Sequence, residues 1–257
     1  GKNVDFMKYL ETASPYFQVE WLSKEDGLVL HYTSGSTGKP KGVLHVQEAM
    51  LQHYQTAKWV LDLKEEDVYW CTADPGWVTG TSYGIFGPWL TGTTMVVLGG
   101  RFSPDTWYKT IEDYGVTVWY SAPTAFRMLM GAGDALVKSF DLSSLRHVLS
   151  VGEPLNPEVI RWGAQVFNHR IHDTWWMTET GAQMICNYAC LPIRPGSMGK
   201  PIPGVKAAIV DDRGVELAPY QMGNLALKKG WPSMMRQIWN NPEKYQSYFL
   251  NDEWYVS

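Results

Sequence analysis

The stretch YTSGSTGKPKGVLH, Tyr32–His45, follows the apolar run GLVLH and ends in a second apolar run, VLHV. It is rich in glycine, in hydroxyl-bearing side chains and in lysine. Glycine allows positive φ angles, so successive backbone N–H groups can turn towards one point, and such nests of donors bind phosphate oxygens. The stretch therefore predicts a polyphosphate-binding loop, whose contacts we assign to Thr33, Ser34, Gly35, Ser36, Thr37, Gly38 and Lys39.

A Walker A loop does not explain this stretch. That motif needs G-x-x-x-x-G-K-[ST] and a helix that starts at the lysine. Here Gly35 and Gly38 are too close together, and Pro40 follows Lys39 where Ser or Thr should stand. Pro40 also disfavours helical geometry at Lys39. We therefore predict a flap between two extended segments that closes over a nucleotide. The alternative is a flexible hairpin that binds no ligand.

Strand-like and helix-like runs alternate through the first three-quarters of the chain. The strand-like runs are GLVLHYT, DVYWCTA, TTMVVLGG, VTVWYSAP, LRHVLSVG and RIHDTWW. In the helical run VQEAMLQHYQTAKWVLDL, the apolar residues fall near one face, namely Met50, Leu51, Tyr54, Ala57 and Leu61. This alternation predicts an α/β fold with a mostly parallel sheet flanked by helices, and ligand sites beyond the carboxyl ends of its strands.

After about Cys190 the sequence becomes rich in proline and glycine, and short strands such as VKAAIVD and GNLALKK replace the helical runs. Turn residues at DDRG separate these two strands. We predict a β-rich segment here, forming part of a small barrel. The expected organisation is a lead-in segment (1–30), an α/β subdomain that binds the nucleotide (31–190), and a truncated β-rich subdomain (191–257).

Charge and composition argue against several classes of protein. The net charge is −4, so no overall basic field attracts nucleic acid or an anionic membrane. No run reaches the roughly eighteen apolar residues of a membrane span, and the first residues lack a signal-peptide pattern. The 3 cysteines suit a reducing compartment, so we expect a cytoplasmic protein whose partners are small molecules.

The glycine-rich stretch resembles the phosphate-loop signature of the adenylate-forming superfamily, which includes acyl-CoA synthetases, adenylation domains of peptide synthetases and firefly luciferase. Three further stretches match that superfamily in the expected order: SVGEPLNPE (150–158), DTWWMTETG (173–181) and WYVS (254–257). Within it, the sequence is most similar to the acetyl-CoA synthetases, because of WCTADPGWVTG (70–80) and the paired Trp175 and Trp176. The resemblance extends from about Leu28 to the last residue.

The resemblance implies a reaction in two steps. A carboxylate attacks the α-phosphate of ATP to give an acyl-adenylate and pyrophosphate, and the thiol of coenzyme A then takes the acyl group. Because two anions meet in the first step, their repulsion must be screened by Mg²⁺, N–H dipoles and lysine. The family pattern assigns Mg²⁺ to Glu179, the α-phosphate contact to Thr178 and a catalytic cation to Lys41.

The resemblance also assigns the adenine site and a coenzyme A contact. Adenine is expected against one wall of Gly152, Glu153 and Pro154 and a second wall of Asp173, Thr174 and Trp175. For Glu153, a carboxylate that serves only the start of a helix is the alternative. Ala122, in SAPTA, is the candidate contact to coenzyme A.

The size of the acyl pocket is the basis for predicting the substrate. Trp176 resembles the wall that shortens the pocket in acetyl-CoA synthetases, with Trp77, Val78, Thr79 and Val151 beside it. A pocket of this kind separates acetate well from butyrate, whereas propionate remains a poorer substrate, since one methylene is worth only about 1–3 kcal/mol. The alternative is that Trp176 is a core residue. Met177 departs from the family pattern, which has Gln, so the positioning of the nucleotide differs there.

The resemblance also indicates what the chain lacks. In the family, WYVS is followed by Gly-Asp and later by a C-terminal domain with a catalytic lysine, and a long segment precedes the phosphate loop. We therefore expect a central piece of a larger acetate–CoA ligase that is inactive alone. The alternatives are a propionyl- or other short-chain acyl-CoA synthetase, a non-catalytic AMP-binding module and, less consistent with Pro40, a phosphoryl-transfer kinase.

Overall fold

The computed structural model describes residues 5–33 and 40–256. The strands are β1 (Gly27–Thr33), β2 (Lys41–Val46), β3 (Val68–Cys71), β4 (Thr94–Val96), β5 (Val118–Ser121), β6 (His147–Val151), β7 (Ile171–Trp175), β8 (Ile185–Cys186), β9 (Lys200–Pro201), β10 (Ala207–Val210), β11 (Asn224–Lys228), β12 (Gln237–Ile238), β13 (Phe249–Leu250) and β14 (Trp254–Val256). The helices are α1 (Phe6–Glu11), α2 (Ala49–Trp59), α3 (Val78–Thr81), α4 (Gly87–Thr91), α5 (Pro104–Tyr114), α6 (Pro123–Gly131), α7 (Asp134–Val137), α8 (Pro157–Val166) and α9 (Pro242–Gln246), with a π-helical turn (Ser82–Phe86) between α3 and α4. Across these ranges, no helix has the length and apolar character needed to span a membrane.

The central sheet has the strand order β4-β3-β5-β6-β7-β8-β9. Its strands from β4 to β7 pair in parallel, and β8 and β9 are added in antiparallel orientation. Every residue of β5 and of β6 is buried, as expected for parallel strands that are covered on both faces. The prediction of an α/β fold with a mostly parallel sheet is confirmed.

Alternate residues of the central strands enter different hydrophobic clusters. Tyr120 of β5 and Leu149 of β6 pack in one cluster, whereas their neighbours Trp119 and Val148 pack in the other. Helices α5, α6 and α8 contribute buried residues to the second cluster. The period of two along each strand therefore divides the core into two layers, one on each face of the sheet.

Helix α5 begins and ends where its sequence predicts. Ser103 occupies the N-cap position and Pro104 the first turn, where a proline has no N–H group to leave unpaired. Gly115 ends the helix with a φ angle of 58°, a left-handed conformation that glycine adopts without strain. The sequence signals for the two ends of this helix are confirmed.

Strands β1 and β2 form an antiparallel hairpin, in which Thr33 pairs with Lys41. Strand β12 adds to the other edge of β2. The two extended segments predicted on either side of the glycine-rich loop are therefore strands paired to each other. Residues 34–39, which carry most of the predicted phosphate contacts, lie outside the described residues.

The C-terminal part contains an antiparallel sheet with the order β10-β11-β14-β13. The predicted β-rich character of this part is confirmed. Two strands from beyond residue 190 pair elsewhere, because β9 joins the central sheet and β12 joins the hairpin. The division of the chain near residue 190 stays a prediction.

Helix α2 buries only part of the face that its apolar residues indicate. Leu51 and Tyr54 are 59% and 44% exposed, whereas Gln52, His53 and Thr56 are buried. The side-chain nitrogens of Gln52 and His53 donate to the carbonyl oxygens of Gln183 and Gly181, at 3.3 and 2.9 Å. The prediction was wrong for Leu51 and Tyr54, because part of the surface that α2 covers consists of backbone carbonyls, which need polar partners, whereas Ala57 and Leu61 are buried as predicted.

Candidate nucleotide and acyl-group site

A cavity of about 820 Å³ lies at the carboxyl ends of β3, β5, β6 and β7, and each loop that follows these strands contributes to it. Twelve residues assigned from the sequence line it: Thr33, Lys41, Trp77, Val78, Thr79, Ala122, Val151, Gly152, Glu153, Trp176, Thr178 and Glu179. The volume lies within the range of small-molecule sites. This edge of the sheet is where the strand order predicts a ligand.

Some assigned residues lie elsewhere, and some lining residues were not assigned. Pro154 is exposed, Asp173 and Thr174 are buried in β7, and Trp175 is half-buried; none of these four lines the cavity. The lining residues that sequence reasoning missed are Thr72, Ala73, Asp74, Trp107, Ser121, Ala125 and Met177. Several of them directly follow strands, so the rule about strand ends could have indicated them. Trp107 comes from within α5 and carries no such signal.

In the lining of the cavity, a cation and a carboxylate form a close pair. Lys41 Nζ lies 2.6 Å from Glu179 Oε1, and the two side chains are 17% and 5% exposed. The Tyr248 hydroxyl donates to the same oxygen at 2.9 Å and also contacts the Lys41 ammonium. Although burial alone would lower it, the pKa of Lys41 is raised by these contacts to Glu179 and Tyr248. Lys41 is therefore a charged ammonium group on the cavity wall, and we call the lining around this pair the phosphate end, after its predicted role.

Glu179 is held by a turn in the loop after β7. The N–H groups of Thr180 and Gly181 both donate to the carbonyl of Met177 at 3.1 Å. Gly181 has a φ angle of 77°, and a Cβ here would collide with the carbonyl oxygen of Ser233. His45 bridges this turn to the chain around Ser233, because Nε2 lies 2.8 Å from the Thr178 carbonyl oxygen and Nδ1 lies 3.1 Å from the Ser233 carbonyl oxygen. Burial lowers the pKa of His45 to about 3, so the ring is neutral and its single N–H donates to one of these two carbonyl oxygens.

Two further observations bear on phosphate and metal binding. Thr33 Oγ1 is buried at the cavity wall and has no hydrogen-bond partner within residues 5–33 and 40–256. A buried hydroxyl without a partner is costly, and a phosphate oxygen would satisfy it. No group of three or more His, Cys, Asp or Glu residues in these ranges could hold a metal ion. Glu179 fits Mg²⁺ as a single carboxylate, since this ion takes most of its oxygens from phosphates and water.

Trp176 also lines the cavity, and we call the lining around it the acyl end, after its predicted role. Its indole is 7% exposed, and it belongs to the first core cluster. It meets the Tyr83 ring edge to face, with 5.1 Å between centroids. Its Nε1 donates to the Tyr120 hydroxyl at 3.3 Å, and Gln183 donates to that hydroxyl at 3.1 Å. The indole is thus fixed by packing as well as by a hydrogen bond.

Trp77 differs from Trp176 in being 68% exposed, although it too lines the cavity. The loop that carries it closes tightly, because Gly80 lies against the backbone of Asp74 and has no room for a Cβ. Val151, at the end of β6, is buried and lines the cavity. The assigned acyl-pocket residues are therefore brought to one cavity, with Trp77 at its exposed side.

Glu153 takes its partners from α6. Its carboxylate accepts hydrogen bonds from Thr124 Oγ1 at 2.7 Å and Arg127 Nη2 at 2.8 Å. These contacts, first that of Thr124 and then that of Arg127, hold the pKa of Glu153 below its ordinary value. Gly152, which precedes it, has a φ angle of 95°. Glu153 thus points away from the start of α8 towards α6, in a position where it lines the cavity.

Asp173 and Thr174 connect neighbouring strands. The Asp173 N–H donates to Asn187 Oδ1 at 3.0 Å, and burial raises the pKa of the Asp173 carboxyl to about 6. The Thr174 hydroxyl donates to the carbonyl of Ser150 in β6 at 2.8 Å. These contacts hold neighbouring segments of the sheet together. The assignment of Asp173 and Thr174 to the adenine site stays a prediction.

The comparisons with known proteins agree with this geometry. A family model described as "AMP-binding enzyme" matches residues 3–239. An acetyl-coenzyme A synthetase of Bacillus subtilis is 73% identical over 100% of this chain and 45% of its own length, and one of Pyrobaculum arsenaticum is 45% identical over 90% and 36%. The crystal structure of a Brucella canis acyl-CoA synthetase is 32% identical, with a TM-score of 0.91 over 99% of this chain and 46% of that protein. The chain spans less than half the length of these relatives, and it belongs to the AMP-binding enzyme family.

Proposed function

We propose that the protein containing this chain is an AMP-forming acetate–CoA ligase, which uses ATP to convert acetate to acetyl-AMP and transfers the acetyl group to coenzyme A. The observation that carries this proposal is a single cavity whose lining contains both the Lys41–Glu179 pair and the buried Trp176 indole. The two relatives named above that are most similar in sequence are acetyl-coenzyme A synthetases, which supports acetate as the substrate.

At the phosphate end, the chain's own groups would lower the cost of bringing two anions together. Lys41 and Thr33 both line the cavity, and their ammonium and hydroxyl groups are the candidates for contact with phosphate oxygens. Positive charge placed where negative charge develops on the phosphate stabilises the transition state, and it acts strongly in a site shielded from water. The Thr178 hydroxyl is the candidate for the α-phosphate contact.

Mg²⁺, when bound, would neutralise charge on the triphosphate and on the leaving pyrophosphate. Glu179 is the residue that would hold it, since its carboxylate is buried at the cavity wall and oxygen is the ligand Mg²⁺ prefers. Lys41 and Tyr248 keep this carboxylate in place through its Oε1 atom.

At the acyl end, selection would depend on the rigidity of Trp176. An indole that is packed on Tyr83 and hydrogen-bonded to Tyr120 cannot move aside to admit a longer chain without disturbing the core. Longer acids are therefore excluded by collision, and propionate is accepted as a poorer substrate. The same feature separates this proposal from a ligase that prefers longer short-chain acids.

The test uses a hybrid enzyme in which these 257 residues replace the matching segment of the Bacillus subtilis relative. We expect acetate-dependent exchange of pyrophosphate into ATP, and acetyl-CoA formation when coenzyme A is added. Acids from two to six carbons are compared, with rates falling steeply after propionate. A hybrid that binds AMP but forms no acyl-adenylate would instead indicate a non-catalytic module, and a maximum at propionate or beyond would contradict acetate as the substrate.

A further inference from the structure

A tyrosine from the C-terminal part of the chain reaches the phosphate end of the cavity. Tyr248 lies between α9 and β13, 69 residues from Glu179, and its hydroxyl donates to Glu179 Oε1 at 2.9 Å. Lys41, which the hydroxyl also contacts, binds the same oxygen. We infer that Tyr248 is a positioning residue that acts through Glu179 to hold this carboxylate for the metal-bound triphosphate. The inference rests on the function proposed above.

The position of the Tyr248 hydroxyl is fixed by contacts to its ring and to its backbone. The ring stacks on Tyr255, with 5.8 Å between centroids and 9° between planes. The ammonium groups of Lys41 and Lys244 lie 4.9 and 5.0 Å from its centroid. The N–H of Val256 in β14 donates to the Tyr248 carbonyl at 2.9 Å. These contacts attach the hydroxyl to the C-terminal sheet, so the donor that reaches Glu179 has little freedom to move.

A second donor matters because Glu179 is a buried carboxylate. Such a group needs hydrogen bonds as well as a nearby cation. A phenol with an ordinary pKa near 10 keeps its proton at neutral pH, so it donates to Glu179 Oε1 whatever else Lys41 contacts. Lys41 carries its charge on a long flexible side chain. Tyr248 therefore allows Glu179 to stay in place while the Lys41 ammonium is available to a substrate phosphate.

The experiment measures binding rather than turnover. Calorimetry on the hybrid enzyme gives the affinities of ATP with Mg²⁺ and of AMP, without acetate or coenzyme A. We expect Tyr248→Phe to weaken binding of Mg²⁺–ATP about tenfold and to change that of AMP less than about twofold, because the lost hydrogen bond supports the metal-binding carboxylate. Tyr245→Phe, which removes a hydroxyl from a half-buried tyrosine of α9, is the matched control and should change neither affinity.

The Glu179→Gln background shows whether Tyr248 acts through Glu179. In that background, Tyr248→Phe should have no further effect on Mg²⁺–ATP binding, because the two changes interrupt one chain of contacts. If Tyr248→Phe weakened the binding of Mg²⁺–ATP and of AMP equally, its role would be structural only and the inference would be overturned. If Tyr248→Phe and Tyr245→Phe had the same nucleotide affinities, the inference would also be overturned, and the proposed function would be unaffected. An unaltered hybrid that binds neither nucleotide would overturn the proposed function, and the inference with it.

Discussion

The two ends of the cavity are built by different physical means. The phosphate end depends on charges and hydrogen bonds between Lys41, Glu179 and Tyr248, which lie far apart in the chain. The acyl end depends on an aromatic side chain, Trp176, that is part of the hydrophobic core. Charge placed where negative charge develops stabilises the transition state, whereas a core indole couples specificity to stability. Changes at the phosphate end should therefore reduce rate and affinity, and changes at the acyl end should alter selectivity and folding together.

The largest effect is expected for Glu179→Gln in the hybrid enzyme. The substitution keeps the shape but removes the carboxylate charge that pairs with Lys41 and is assigned to Mg²⁺. We expect acetate-dependent pyrophosphate exchange to fall by about 100-fold or more, the loss typical of one electrostatic contact to a transition state. Glu253→Gln removes a half-exposed partner of Lys228 and serves as the control. Exchange within about threefold of the unaltered hybrid would contradict the role assigned to Glu179.

At the acyl end, Trp176→Ala should change which acid is used. Removing the indole lengthens the pocket, so the ratio of kcat/KM for acetate to that for butyrate should fall by about 10- to 100-fold. The free energy of unfolding should also fall by about 3–5 kcal/mol, because the indole is buried. Trp89→Ala, at a position 69% exposed, is the control and should change neither quantity much. A stable Trp176→Ala variant with unchanged selectivity would show that the indole is only a core residue.

Arg146, Asp62 and Asp67 form a charge network outside the cavity lining. A substitution in it tests whether buried charges in this protein can contribute to stability without affecting ligand binding. Arg146 binds Asp67 and also contacts Asp62 Oδ2 at 2.6 Å, and the Asp67 carboxylate is 2% exposed. Arg146→Met leaves Asp67 without its cation, so we expect a loss of about 2–3 kcal/mol in the free energy of unfolding, reduced from the buried-pair value by the partial exposure of Arg146. Nucleotide affinity should not change. Urea denaturation and calorimetry on the hybrid enzyme would check both expectations.

The same network fixes the sign of one pH dependence. Although burial alone would raise the pKa of Asp67, hydrogen bonds from Arg146 and Thr117 lower it below its ordinary value. A carboxyl whose pKa is lowered by folding stabilises the folded state above its unfolded pKa, near 3.9, and this contribution is lost as pH falls through the folded pKa. The stability difference between the unaltered protein and Arg146→Met should therefore shrink in strongly acidic solution. A difference that grows as the pH falls below 4 would contradict this assignment.

The sequence predicted the location of the cavity well because strand ends are local signals. Thr178 and Glu179 follow the run that forms β7, and Gly152 and Glu153 follow the run that forms β6, so their common edge follows from the parallel pairing. Tyr248 could not be predicted in this way, since its contact to Glu179 depends on how the C-terminal sheet packs against the hairpin. No spacing in the sequence encodes a contact of that kind.

The prediction that Leu51 and Tyr54 of α2 face inward failed for a related reason. Hydrophobic periodicity assumes that a helix packs on apolar side chains. Helix α2 instead covers the backbone of the loop after β7, where His53 and Gln52 meet carbonyl oxygens. The side chains that support the loop of Glu179 are therefore polar, and an apolar pattern points to the wrong side. At both α2 and the phosphate end, hydrogen bonds between distant parts of the chain determine which polar side chains are buried.

The smallest expected effect concerns Thr33, and it separates binding from stability. Thr33 Oγ1 is buried at the cavity without a partner among the described residues, so Thr33→Val removes an unsatisfied hydroxyl and should leave the Tm unchanged or slightly higher. If the hydroxyl contacts phosphate, the affinity for Mg²⁺–ATP should fall by about threefold to tenfold. Thr93→Val is the converse control, because the buried Thr93 donates to the Lys64 carbonyl at 3.1 Å and does not line the cavity. It should lower the Tm with no change in affinity, and a Thr33→Val variant that behaved in the same way would place its hydroxyl in the structural framework and not in the site.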